Sequence, residues 1–224
     1  TPPKRIQNQA SSASTPTNFV NTFNDFQYYE KDETNLLKSG QEWYGEYFDV
    51  ITSYDFKFNF PNIDPSSQVH TTVNAIARSS VGASNGNIME FKVNGGSVTN
   101  LNFADVNNTL YYAQYASSSQ ASSNVLPSGD IVNINVKYGA AGVKPNSSSK
   151  AWLDYITVNA KRRLIMDGQQ MKFRDVNSVG VGKVAQMNLS NASPLLKIWE
   201  VTDIYNVKNQ IFTLSSGIAQ FNVN

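Results

Sequence analysis

Tyr54, Phe56, Phe58 and Phe60 alternate with Asp55, Lys57 and Asn59 until Pro61 ends the run. A period of two puts the four rings on one face of a half-buried β-strand. The same alternation recurs over residues 69–77, at Met89, Phe91 and Val93, and at Val132, Ile134, Val136 and Tyr138. Asn85-Gly86 and Asn94-Gly95-Gly96 lie between or beside these runs and supply the positive φ of tight hairpins. An antiparallel meander is predicted.

Further along, residues 152–164 form a long strand candidate whose faces, Trp152/Ile156/Val158 and Leu153/Tyr155, are both apolar at its start. Such a strand is expected to be covered on both sides. Shorter runs follow at 171–174, 184–189, 195–201, 211–214 and 218–223. Residues 29–38 fit one short helix with Leu36 and Leu37 turned inward and Gly40 as its C-terminal cap. The Ser-rich stretches 117–124 and 145–150 read as exposed loops. About ten strands with little helix favour an all-β, two-sheet antiparallel sandwich of jelly-roll type. Over residues 7–21 Ser, Asn, Thr, Pro and Gln dominate, a composition that buries too little surface to offset the entropy of ordering. Residues 1–22 are therefore expected to be an arm or linker, and 23–224 a single β-sandwich domain.

Composition narrows the function. Among 224 residues 40% are hydrophobic and 16% charged, which suits a folded chain rather than a disordered one. A net charge of +1 supplies no field for nucleic acid, which is not expected as a partner, nor for an acidic membrane surface. Without Cys the chain offers no disulfide, thiolate nucleophile or Cys-ligated zinc. The opening Thr1-Pro2-Pro3-Lys4-Arg5 has no initiating Met or signal core, and the chain reads as part of something longer.

No candidate site assembles from spacing alone, and no catalytic, cofactor-binding or metal-ligating residue is assigned. His70 is the single His and shares strand parity with Thr72 and Asn74, so it is expected on a polar face, without the nucleophile and carboxylate that a catalytic base needs. Gly180-Val181-Gly182-Lys183-Val184-Ala185 matches a permissive dinucleotide pattern but runs into a strand rather than a helix, which favours a glycine-rich turn. The acidic groups Glu30/Asp32/Glu33 and Glu42/Glu46/Asp49 read as solvated faces, with a structural calcium ion as the alternative. No other cofactor is expected. In Lys161-Arg162-Arg163, Arg162 has core parity if the strand is unbroken and would then need a buried carboxylate; a strand end or bulge near Lys161 is the favoured expectation. Trp43-Tyr44, Tyr47-Phe48 and Tyr111-Tyr112-Tyr115 suit either a core and domain seam or a sugar-stacking platform. Trp152 and Trp199 are expected to anchor the core.

Five strings carry a resemblance: Lys4-Arg5-Ile6-Gln7, Tyr29-Glu30-Lys31-Asp32, Asn35-Leu36-Leu37-Lys38-Ser39-Gly40-Gln41-Glu42-Trp43-Tyr44-Gly45-Glu46, Trp152-Leu153-Asp154-Tyr155-Ile156 and Ile198-Trp199-Glu200-Val201-Thr202. Together they resemble the region preceding the peptidase domain in type IX secretion sortases of the gingipain-related C25 cysteine peptidase family. In that family a His and a Cys of the downstream domain remove the C-terminal sorting domain of cargo and pass the acyl-enzyme to a lipopolysaccharide amine or to water. The resemblance implies a parent at the outer-membrane surface, working with a β-barrel partner and other attachment-complex proteins. It gives this chain an accessory, non-catalytic role beside the downstream peptidase domain: positioning it, shielding its cleft, or docking cargo or partner proteins. The chain stops about where that domain would begin, and no catalytic residue is carried over. The rival reading is a carbohydrate-binding β-sandwich module of a secreted protein.

Overall fold

The computed structural model describes residues 5–80, 86–107, 109–110, 112–178 and 180–224. The described chain is all-β, with its strands in the order β1 (Gln7–Gln9), β2 (Asn18–Val20), β3 (Thr22–Glu30), β4 (Tyr47–Phe48), β5 (Ser53–Asn59), β6 (Val69–Arg78), β7 (Ile88–Val93), β8 (Thr99–Asn102), β9 (Ser117–Val125), β10 (Ile131–Tyr138), β11 (Lys150–Arg163), β12 (Ala185–Leu189), β13 (Ile198–Glu200), β14 (Lys208–Gln210), β15 (Thr213–Ser215) and β16 (Ile218–Val223). They divide between two compact units, one of residues 1–25 with 161–224 and the other of 26–160, and the divisions fall within β3 and β11.

The 26–160 unit is the sandwich that the aromatic alternation predicts. One sheet runs β5-β10-β7-β8, the other β3-β11-β6-β9 with β4 added to β11. Their inner rows share one apolar core, including Phe56, Phe58 and Phe60 from the first run, Val69, Val73 and Ala75 from β6, and Ile134, Val136 and Tyr138 from β10. At the end of β10, Gly139 (φ +86°) turns the chain so tightly that an added Cβ would lie 2.0 Å from the Val143 carbonyl oxygen. No L side chain fits there. Asn94 (φ +50°) and Gly95 (φ +70°) turn the predicted hairpin between β7 and β8, whereas Gly86 (φ +67°) precedes β7 in a connection between the two sheets and forms no hairpin; its neighbour Asn85 lies outside the described residues.

In the other unit a β15-β16-β12-β2 sheet and a β1-β14-β13 sheet accompany an apolar core of Val20, Phe23, Leu164, Met187, Leu189, Ile198 and Phe221 with smaller neighbours.

Several expectations change. The proposed arm is built into sheets: β1 pairs in parallel with β14 and β2 with β12. Its backbone groups find distant partners, which offsets a composition poor in apolar surface. The structure thus has two compact units where one domain over 23–224 was expected. No helix forms over 29–38, because Tyr29 and Glu30 finish β3 and Thr34 bridges Tyr44; Gly40 (φ +76°) sits in the intervening turn. The Ser-rich stretch 117–124 is strand, paired along its whole length with β6. Residues 171–174 form no strand, although Met171 and Phe173 pack against the apolar core of their unit.

Candidate functional site

The outer face of the β3-β11-β6-β9 sheet gathers most of the chemistry in the 26–160 unit. β6 shows why: Val69, Thr71, Val73, Ala75 and Ala77 point to the core, so His70, Thr72, Asn74, Ile76 and Arg78 point out. β11 does not keep one parity. Its register to β6 shifts between Leu153 and Tyr155, leaving Asp154 as the extra residue of a bulge. Trp152 is therefore paired with Ile76 on the outer face, whereas Ile156 and Val158 join the core beside Leu153. The expected grouping of Trp152 with Ile156 and Val158 does not hold.

Part of the outer face is covered by the chain between β3 and β4. Gly45 and Leu153 are tied by the bonds Gly45 N to Leu153 O (2.8 Å) and Leu153 N to Glu46 O (3.0 Å). Beneath this segment Tyr44, Ile76, Ala116 and Trp152 form a satellite apolar cluster. A pocket of about 100 Å³ opens beside it, between Leu36, Tyr44, Ile76 and Tyr115. That is well below the roughly 300–1,000 Å³ of ordinary small-molecule sites.

Where the face is open, Phe26, Tyr28 and Tyr155 form an aromatic row, with ring centroids 6.3 Å apart for Phe26–Tyr28 and 5.8 Å for Tyr28–Tyr155. Phe26 is 46% and Tyr28 49% exposed. Beside the row Tyr155 Oη donates to Gln120 (3.0 Å), and Tyr28 hydrogen-bonds Glu30. Burial pushes the Asp154 carboxyl up to about 6, helped by the charges of Glu30, Glu42 and Asp32. Burial first, then Glu42, holds the Tyr44 phenol above its ordinary range.

Glu46 and Asp49 are each engaged by a lysine and a phenol. Glu46 is 7% exposed and takes both Lys31 and the Tyr29 hydroxyl; Asp49 takes Lys144 and the Tyr47 hydroxyl. No group of three or more His, Cys, Asp or Glu among the described residues is arranged to hold a metal ion. His70 stands on the exposed face between Asn124 Oδ1 (2.9 Å) and the Thr72 hydroxyl (3.3 Å). An amide rather than a carboxylate flanks the ring, so it is not set as a general base. Gly180 (φ +142°) and Gly182 (φ +75°) shape a turn into β12, not a helix; residue 179 lies outside the described residues.

In the other unit β11 continues unbroken through Arg163, against the expected break at Lys161. The core-facing Arg162 has the carboxylate it requires, with Nη1 donating to Asp25 at 2.9 Å. Of the aromatic clusters, Tyr44 and Phe48 are buried, while Trp43, Tyr47, Tyr112 and Tyr115 are exposed, and Tyr111 lies outside the described residues. Trp199 is 53% exposed and anchors no core. Sequence reasoning missed the Phe26/Tyr28/Tyr155 row, although the alternation of Phe26 and Tyr28 with Gln27 and Tyr29 was a usable signal.

Fold and site together define an all-β sandwich protein whose prominent surface is an aromatic, polar sheet face. The same fold occurs in the crystal structure of dimeric latent PorU from Porphyromonas gingivalis, with a TM-score of 0.76 and 18% identity over 97% of this chain. At that identity the likeness is one of fold. This chain spans 20% of the PorU chain. A CBM35 module of Cellvibrio japonicus Abf62 overlaps 69% of the chain at 12% identity, with a TM-score of 0.31, too low for a shared fold. No protein-family model and no curated protein matches the sequence.

Proposed function

We propose that this chain is a non-catalytic accessory region of a surface-located, C25-type cysteine peptidase of the type IX secretion system. The observation that carries the reading is the fold correspondence with about a fifth of PorU, running through nearly all of this chain. It is supported by the five sequence strings, three of which contribute residues to structural positions. Tyr29 and Glu46 meet at a hydrogen bond, and Trp152-Leu153-Asp154-Tyr155-Ile156 spans the bulge of β11. In this reading the parent removes C-terminal sorting domains from cargo at the outer membrane and attaches the cargo to lipopolysaccharide. This region positions the downstream peptidase domain or docks cargo, a β-barrel partner or other attachment proteins. The test is the gene itself: the reading frame that encodes this chain should encode a C25-like domain with a His and a Cys after it. A frame lacking one would refute the reading.

A second reading, a carbohydrate-binding module, is favoured by one observation, the row of exposed Phe26 and Tyr28 with half-buried Tyr155 beside Gln120. Removing Tyr28 and Tyr155 together would abolish glycan retention under that reading, and leave cargo maturation by the parent to report on the first.

A further inference from the structure

Arg78 and Lys150 stand directly opposite each other where β6 pairs with β11. They occupy the outward row, because the next pair along, Ala77 with Ala151, is fully buried in the core. Like charges facing each other across a strand pair are destabilising. Neither residue forms an ion pair with any described residue; the bridges among the described residues belong to Lys31, Lys144 and Arg162. Each cation is held instead by a tyrosine, Lys150 also reaching the Tyr47 hydroxyl. Arg78 Cζ is 4.3 Å from the centroid of Tyr115 and donates to that residue's carbonyl, while Lys150 Nζ is 5.7 Å from the centroid of Tyr47.

The two tyrosines flank the strand pair from opposite sides. Tyr47 belongs to β4, hydrogen-bonded to β11, and Tyr115 leads into β9, hydrogen-bonded to β6. Each cation is thereby held at an aromatic rim, with Tyr47 37% and Tyr115 40% exposed. Asp49, which acts on Lys150 from a distance, is already engaged by Lys144 and the Tyr47 hydroxyl.

We propose that Arg78 and Lys150 form a binding site for an oxyanion, a phosphate or carboxylate group that bridges the two cations. The guanidinium supplies a planar fork of donors and the ammonium a point charge, a pairing suited to several oxygens on one centre. An anion between them converts the repulsion into two attractions. The site needs only this strand register, so it stands whether or not the parent is a peptidase.

The experiment is an NMR titration of the whole chain with inorganic phosphate and, separately, with succinate, at ionic strength held constant with sodium chloride. Saturable shifts at Arg78, Lys150, Tyr47 and Tyr115 with either probe support the site. Response to phosphate alone assigns a phosphoryl ligand, and response to succinate alone a carboxylate one. Arg78→Gln and Lys150→Gln should each weaken binding about tenfold or more, while Lys150→Arg retains it. Without anion Lys150→Gln should melt no lower than the parent sequence, since it removes the repulsion, whereas Arg78→Gln also loses the bond to the Tyr115 carbonyl. Absence of saturable binding, equal binding in the Gln variants, or lower melting of Lys150→Gln without anion would overturn the proposal.

Discussion

Arg162 Nη1 donates to Asp25 Oδ2 at 2.9 Å, and the guanidinium lies 5.1 Å from the centre of the Phe23 ring. Arg162 is only 7% exposed. Arg162 also faces Asp167 Oδ2 at 3.6 Å, so breaking the Asp25 contact removes a charge-assisted hydrogen bond without leaving the buried cation unpaired, a cost of about 1.5–3 kcal/mol. Arg162→Met and Asp25→Asn should each lower the free energy of unfolding by that order in denaturant titrations. A loss below about 1 kcal/mol would show a pair screened as surface pairs are.

Asp154 makes stability depend on pH in the less common direction. Its carboxyl is held at about 6 against an ordinary value of 3.8, so the folded chain binds a proton that the unfolded chain has released. Stability from this group is complete below the ordinary value and is lost as pH rises through the folded value. Asp154→Asn should therefore raise the melting temperature at pH 7, leave it nearly unchanged at pH 3.5, and flatten the profile between. Equal effects at both pH values would contradict this.

Tyr138 and Gly139 test the end of β10. The Tyr138 hydroxyl, kept protonated by burial, donates to Asn87 Oδ1 at 2.9 Å inside the core. Tyr138→Phe leaves that acceptor without its donor, costing about 1–3 kcal/mol. Gly139→Ala should be worse, because its Cβ meets the Val143 backbone. Calorimetry that ranked the two the other way would mean the 139–143 turn relaxes.

Two tryptophans separate core from surface. Trp152 is 5% exposed and stacks on Tyr47 at 5.2 Å, so Trp152→Ala should cost about 3–5 kcal/mol. Trp199 is 53% exposed, and Trp199→Ala should stay within about 0.5 kcal/mol of the parent sequence. Thermal melts of both variants decide it; comparable losses would show that Trp199 is covered.

The strands most legible in the sequence are those with one face buried, as at Phe56, Phe58 and Phe60 or at Val132, Ile134 and Val136, where burial imposes the period of two. β9 was illegible for the same reason reversed. As an edge strand of Ser, Ala and Asn it is half-buried on one row and exposed on the other, so nothing apolar marks its parity. The β11 bulge at Asp154 moved Trp152 to the opposite face from the one its spacing implied. The 7–21 segment pairs with strands near the far end of the chain, and local composition carries no trace of such partners. The outer-face site has the same origin: Tyr28 meets Tyr155, and Arg78 meets Lys150, only through strand register.

The central claim, that this chain is a non-catalytic region of a cysteine peptidase, is tested most directly by cleavage of a cargo protein bearing a type IX sorting domain. The purified chain and the full-length parent would be assayed side by side, with a thiol-directed inhibitor as control. The account predicts no turnover by the chain, which has no Cys, and inhibitor-sensitive turnover by the parent. Sustained cleavage by the chain alone, or a parent inert towards the cargo, would contradict it.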